Sequence, residues 1–224
     1  VKLVTDVAVL IPTLGRGYHI KPLLDSLYKS TDRARPVFIL RKGDSAEASI
    51  KEYSKGLDII SLPASKTGRG DYAKKINAGC WSTNEPLIFM AATDLKFHEG
   101  WLEAAERRLD NGIHCVGTND LGNLAVMKGE HSTHSLMTRE YVQTYGTIDE
   151  PGKALHEGYW HEFVDNEFVE TAQYRNAWAM ALDSHVEHMH PAFGKGGWDD
   201  SYAGFRDRVQ FGMDLFAERK HLWT

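Results

Sequence analysis

The chain is short of the features that mark several large protein classes. Its 224 residues hold 2 cysteines, Cys80 and Cys115, so no disulfide framework is available and a reducing, cytoplasmic setting is expected. The longest apolar runs are strand-sized, which leaves no expected membrane span. Val1 to Leu10 carry Lys2 and Asp6 and show neither a signal-type apolar run nor a small-residue cleavage site, so no secretory leader is expected. Positive charge is not in excess either: 26 Lys and Arg against 31 Asp and Glu leave a formal charge of -5. That balance argues against a broadly basic face held to nucleic acid by phosphate neutralisation alone, and leaves room for a local basic patch. No internal repeat or low-complexity segment breaks the chain.

What is present fits one α/β domain with one sizeable core. Short β-rich runs alternate with helix-length amphipathic segments through the first half. Strands are expected at Val7 to Ile11, Val37 to Leu40, Ile59 to Leu62, Leu87 to Ala92 and Ile113 to Gly117. Between them, Ile20 to Lys29, Ala46 to Lys55, Tyr72 to Trp81 and Gly100 to Asn111 place apolar residues at helical spacing. Alternation of this kind predicts a mostly parallel sheet wrapped by helices. Beyond Thr118 the pattern loosens. A strand-like His134 to Met137, a helix over Glu162 to Arg175, a strand-like Val186 to His190 and a last helix from Asp199 to about His221 are expected. In such sheets ligands bind beyond the carboxyl ends of the strands, which directs attention to Pro12 to Arg16, Arg41 to Asp44, Pro63 to Asp71 and Thr93 to Lys96.

Asp94 ends the apolar run that begins at Leu87, so the strand delivers a carboxylate to the sheet's edge. A carboxylate there can hold a divalent cation against a diphosphate, or cap the turn that follows. His188 and His190 stand two apart, so in an extended segment both share a face and can approach one metal; His190, beside Pro191, is the preferred ligand. Lys74 and Lys75 fall in the first turn of a helix that Asp71 is expected to cap. Cations there oppose the helix dipole unless an anion sits nearby, and with Arg69 they could serve a ligand phosphate. Asp165, Glu167 and Glu170 form a carboxylate series in which only 167 and 170 share a helical face. One carboxylate beside a sugar carbon could take an acceptor's proton.

In order as well as content these segments resemble the inverting GT-A glycosyltransferases of the large family that uses nucleotide-diphospho-sugars, sometimes called family 2. Val7-Ala8-Val9-Leu10-Ile11-Pro12-Thr13 looks like the family's opening strand, Ala73-Lys74-Lys75-Ile76-Asn77-Ala78-Gly79 like the helix before its metal strand, and Ala92-Thr93-Asp94 falls at its Asp-x-Asp motif. Gly117 to Asp120 and His131 to His134 are similar to small bacteriophage-type members. The resemblance implies a Rossmann-like GT-A domain spanning 1–224: a nucleotide-sugar half at 1–117, an acceptor and metal-binding part at 118–198, and a C-terminal helix at 199–224. It implies a manganese or magnesium ion on Asp94 and His190, and Asp165 as general base. Pro12, Thr13, Arg16, Asp44, Arg69, Lys74, Lys75, Asn77 and Thr93 would meet a UDP-linked donor, with His134 and Trp160 on the acceptor side. Two departures stand out. Ala92 replaces the first Asp of the pair, and Arg41-Lys42-Gly43-Asp44 replaces the paired acidic residues usual after the second strand. The acceptor stays open among a modified DNA base, a protein side chain, a glycan and a small molecule. Two other readings stand beside this one: a metal-dependent hydrolase, from His188-x-His190 and the carboxylate surplus, and a nucleotide-binding module without catalysis, from Ala92.

Overall fold

The computed structural model describes residues 5–54, 56, 58–65 and 68–224, without the side chains of 54 and 201. Lys55, the expected end of the second helix, residues 66 and 67 of the loop expected at 63–71, and residues 1–4 lie outside the described residues. The first half alternates as its pattern requires: β1 (Val7–Pro12), α1 (Ile20–Ser30), β2 (Ala34–Arg41), α2 (Glu47–Ser54), β3 (Ile59–Leu62), α3 (Asp71–Ser82) and β4 (Leu87–Met90). β1 lies between β2 and β4 and is parallel to both, and β3 extends the sheet beyond β2. Because strand side chains alternate, Val7, Val9 and Ile11 enter one core with the α1 stripe Ile20, Leu23, Leu24 and Leu27. Ala8 and Leu10 enter the other with Ala73 and Ile76 of α3. A sheet buried on both faces needs continuous apolar strands, which is why these runs show in the sequence.

The second half adds β5 (Leu95–Phe97), α4 (Trp101–Glu106), β6 (Cys115–Asn119), α5 (Leu124–Met127), β7 (Ser135–Thr138), α6 (Arg139–Thr144), α7 (Val164–Tyr174), β8 (Trp178–His188) and α8 (Phe205–Arg219). Strand order is β3-β2-β1-β4-β7-β6-β8-β5. β7 runs antiparallel to both β4 and β6, so the sheet is mixed in its second half. β8 starts at Trp178, well before the expected Val186, and ends at His188 rather than His190. Its first part pairs with β6 in parallel, and a register shift follows at Thr118/Asn119. Its last part, Val186 to His188, pairs antiparallel with β5. α4 stops at Glu106, short of Asn111, whose φ of 51° begins the turn instead. The expected last helix divides into a 3-10 turn at Asp200–Tyr202 and α8. Cys80 and Cys115 are buried and free. Among the described residues no helix is long and apolar enough to cross a membrane.

The last helix is bolted down by a buried charge cluster. Glu167 of α7, 3% exposed, accepts from the Tyr159 hydroxyl at 2.8 Å and from Nε and Nη2 of Arg219 at 2.8 Å each. The same guanidinium forks onto Asp149 at 3.0 Å twice. Removing one partner of such a pair strands a buried charge, which costs about 3–5 kcal/mol. Arg219→Ala is therefore expected to lower the melting temperature by on the order of 10 °C. A calorimetric scan of the two proteins checks it.

Candidate active site

A cavity of about 750 Å³ opens at the carboxyl ends of β1 and β4. Pro12, Thr13 and Arg16 reach it from β1, and Ala92, Thr93 and Asp94 from β4. A volume of this order suits a small-molecule ligand. The far wall comes from α7 and the segments before it, including Trp160 and Asp165, and from the residues that follow β8.

Asp94 sits where the chain leaves the large sheet for the short β5/β8 ladder. The register Leu95↔His188 fixes the end of β8 beside it, and the Met189 N–H donates to the Asp94 carbonyl at 2.8 Å. The carboxylate, 5% exposed, has Arg16 Nη1 at 3.3 Å from Oδ2 and His188 Nε2 at 3.5 Å from Oδ1. Burial alone would raise its pKa, but the contact with His188 and the charges of His188, His134 and Arg16 hold it far below the carboxylate range. Arg16 is itself gripped: Nε and Nη2 donate to Asp199 at 2.8 and 3.1 Å, and its guanidinium stands 4.5 Å from the centroid of Tyr202. A second carboxylate thus reaches this corner through Arg16, from a segment to which the sequence pattern gave no role.

His188 is the imidazole that meets Asp94. His190 lies next to it, ring centroids 5.1 Å apart, with Nδ1 accepting from the Ala192 N–H at 3.1 Å. The two rings share a side as their spacing of two implies, but the β5/β8 register hands the closer position to His188. Burial and the neighbouring His188 push the pKa of His190 down to about 4. Burial and His188 push that of His134 down to about 3. Nδ1 of His134 and Nδ1 of His188 are buried without a hydrogen bond within the chain. An ionised carboxylate beside imidazole nitrogens that make no hydrogen bond within the chain offers the donor types that a divalent cation takes, so the donor set at Asp94 fits one. Among the described residues, the one group of three with ligand atoms all within 4.8 Å of one another lies elsewhere, at Asp149, Glu150 and His156. There Arg219 already holds Asp149, and Lys153 holds Glu150.

Asp165 enters from the first turn of α7, where the helix dipole favours negative charge. Phe163 turns the chain into that helix at a φ of 69°, a strained value for a bulky residue, and its ring packs against Phe216 of α8 at 5.8 Å. The carboxylate accepts from His131 Nε2 at 3.2 Å. Burial opposes ionisation, but the bond from His131 and the charges of His131 and His161 hold its pKa down. Glu167 and Glu170 are spent on structure, the latter accepting from Trp223 Nε1 at 2.9 Å.

Of the residues expected at the donor, Pro12, Thr13, Arg16, Lys75 and Thr93 line the cavity; Asp44, Arg69, Lys74 and Asn77 do not. Lys75 is 1% exposed, with Nζ 2.6 Å from the Thr13 carbonyl and 2.5 Å from Asp71. Its charge is thereby matched within the fold rather than offered at an exposed helix start. Gly70, not Asp71, caps α3, at a φ of 69° and where a Cβ would meet the Glu157 carbonyl at 2.4 Å. Lys74 donates to the Arg69 carbonyl at 3.0 Å, and Arg69 to that of Gly158 at 3.0 Å. Asn77 clamps Leu155, donating to its carbonyl at 2.9 Å and accepting from its N–H at 3.0 Å. Asp44 Oδ1 accepts from Gly15 and Ala46 N–H groups at 3.0 and 2.9 Å, which shapes the loop after β1. His134 and Trp160 both line the cavity.

No family model matches the sequence, and no curated protein matches it. Solved structures do match in shape. A mannosyltransferase from Pyrobaculum calidifontis, in complex with GDP-Man and Mn2+, superposes with a TM-score of 0.64 at 14% identity, over 91% of this chain and 60% of that one. This chain therefore spans less than two thirds of that enzyme. Glucosyl-3-phosphoglycerate synthase from Mycobacterium tuberculosis, with Mn2+, UDP and phosphoglyceric acid, gives 0.61 at 15% identity, over 95% of this chain and 78% of that one. The same enzyme with Mg2+ and UDP gives 0.61 at 16% identity, over 95% and 79%. The fold is accordingly the GT-A fold of nucleotide-sugar transferases.

Proposed function

We propose that the protein is a metal-assisted, inverting glycosyltransferase that moves a sugar from a nucleoside-diphosphate donor, UDP-linked, to an acceptor hydroxyl. The observation that carries this reading is the pair of ionised carboxylates, Asp94 and Asp165, lining one cavity at the carboxyl ends of β1 and β4. The folds it shares with enzymes that bind GDP-Man or UDP beside Mn2+ or Mg2+ support it. Asp94 and His188, with His190 alongside, would hold manganese or magnesium, which when bound neutralises charge on a diphosphate leaving group. Asp165 takes the proton from the acceptor hydroxyl as that oxygen bonds to the anomeric carbon. The bond from that carbon to the phosphate oxygen breaks, and its electron pair leaves on the diphosphate. Arg16 stands beside Asp94 as a cation on the leaving-group side. The phage-type pattern enters only through its residues: His131 and His134 line the cavity, and Asp120 caps the next turn through the Gly122 and Asn123 N–H groups at 2.9 and 2.8 Å.

Thermal unfolding with UDP-glucose, UDP-galactose and GDP-mannose, each with and without manganese, tests the reading. A ligand at one hundred times its dissociation constant adds about 2.7 kcal/mol to stability. A rise of several degrees is expected with a UDP-linked donor and manganese together, and little with either alone. A melting temperature that none of the donors moves counts against the assignment.

A further inference from the structure

The cavity wall carries a side-chain pair that the proposed chemistry does not account for. His131, in the stretch between α5 and β7, places Nε2 3.2 Å from Oδ2 of Asp165, and both residues line the cavity. A carboxylate can only accept, so the Nε2 atom carries the hydrogen and donates. The other charged and titratable groups around the pair make contacts of their own. Asp120, in the loop after β6, accepts from backbone N–H groups and from the Thr133 hydroxyl at 3.3 Å. Glu170, one turn along α7, is held by Lys220 and Trp223. His161 packs edge-on against Tyr72 with ring centroids 5.0 Å apart, and His134 packs edge-on against His188 at 4.9 Å. Asp165 is therefore the group that His131 touches.

We propose that His131 is a positioning residue of the transfer step: its Nε2–H holds one oxygen of Asp165 and leaves Oδ1 to face the acceptor hydroxyl. The inference rests on the reading of Asp165 as the base. The terminal torsion of an aspartate is broad and roughly two-fold, so an untethered carboxylate spreads over orientations of which few align with the attacking oxygen. A misplacement of 1 Å can cost about 100-fold in rate. The pairing also makes the tether sensitive to pH. Burial would lower the pKa of His131, but the bond to Asp165 and the charges of Asp165, Asp120 and Glu170 raise it. While the imidazole is protonated it stabilises the carboxylate anion and weakens it as a base. Once deprotonated it still donates from Nε2 but no longer opposes proton uptake.

The test uses the full chain with manganese and UDP-glucose, with water as acceptor and UDP release as the readout, beside an NMR titration of the histidine side chains. His131→Ala is expected to lower kcat by about 10- to 100-fold with KM for UDP-glucose unchanged. His131→Gln, which keeps an N–H donor near the Nε2 position and does not titrate, is expected to restore most of the rate and to flatten the acid limb of the pH profile. In the NMR titration His131 should protonate above the ordinary imidazole range and return to it in Asp165→Asn. An unshifted His131 overturns the pairing. A normal kcat in His131→Ala beside a shifted titration overturns the positioning role and leaves the transferase reading standing. Full activity of Asp165→Asn overturns both.

Discussion

Asp94→Ala is expected to lower turnover by on the order of 10³-fold, equivalent to about 4 kcal/mol of transition-state stabilisation. The substitution removes the carboxylate around which Arg16 and His188 are arranged, at 3.3 and 3.5 Å. It leaves Ala92 and Thr93, neither of them acidic, in the segment that follows β4. Manganese affinity, measured by calorimetry, should fall with the rate, because the imidazoles that remain offer nitrogen but no charge. His188→Ala should weaken manganese more than His190→Ala, since His188 is the ring in contact with Asp94 while His190 has Nδ1 engaged with the Ala192 N–H. Manganese affinity that survives Asp94→Ala would remove the ion from this corner. The reverse order of the two histidines would restore the preference for His190 that its place beside Pro191 suggested.

Asp165→Asn should separate binding from chemistry. Asparagine preserves the shape and can still accept from His131, but it cannot take a proton. Loss of a general base costs about 10²- to 10⁴-fold, and that loss is expected in kcat, with KM and donor-induced stabilisation close to wild type. This contrasts with Asp94→Ala, where binding and turnover fall together. Should the two substitutions show the same signature, the division of labour between the walls of the cavity is wrong. A rate within a factor of a few of wild type in Asp165→Asn would remove it from the proton transfer.

The first four strands are legible in the sequence because a sheet covered on both faces demands unbroken apolar runs, and Val7–Pro12 and Leu87–Met90 are such runs. β5 is not legible: Leu95–Phe97 is three residues long and pairs with a strand some ninety positions away. β8 is half legible, since the register shift on β6 interrupts alternation around Asp183 to His185 and hides the first part of the strand. The same long-range pairing explains the histidines. Spacing puts His188 and His190 on one side, and the register of β5 against β8, which no local pattern encodes, sets His188 against Asp94. Lys75 shows the opposite failure. Its place near a helix start suggests an exposed cation waiting for an anion, whereas a carboxylate one turn back and the Thr13 carbonyl satisfy it under cover. The carboxylates at 165, 167 and 170 were separable by helical phase, but their partners were not. Arg219 for Glu167 and His131 for Asp165 come from opposite directions along the chain.

β8 serves two ladders, joining the main sheet through β6 and delivering His188 to Asp94 through β5. Strand pairing on the ribosome therefore cannot finish until β8 has emerged, because β5 and β6 must wait for a partner encoded far downstream. Until then the carboxylate at the mouth of β4 lacks the His188 imidazole. A nascent chain of this protein would complete this corner only once residue 188 has left the ribosome, long after the carboxylate itself.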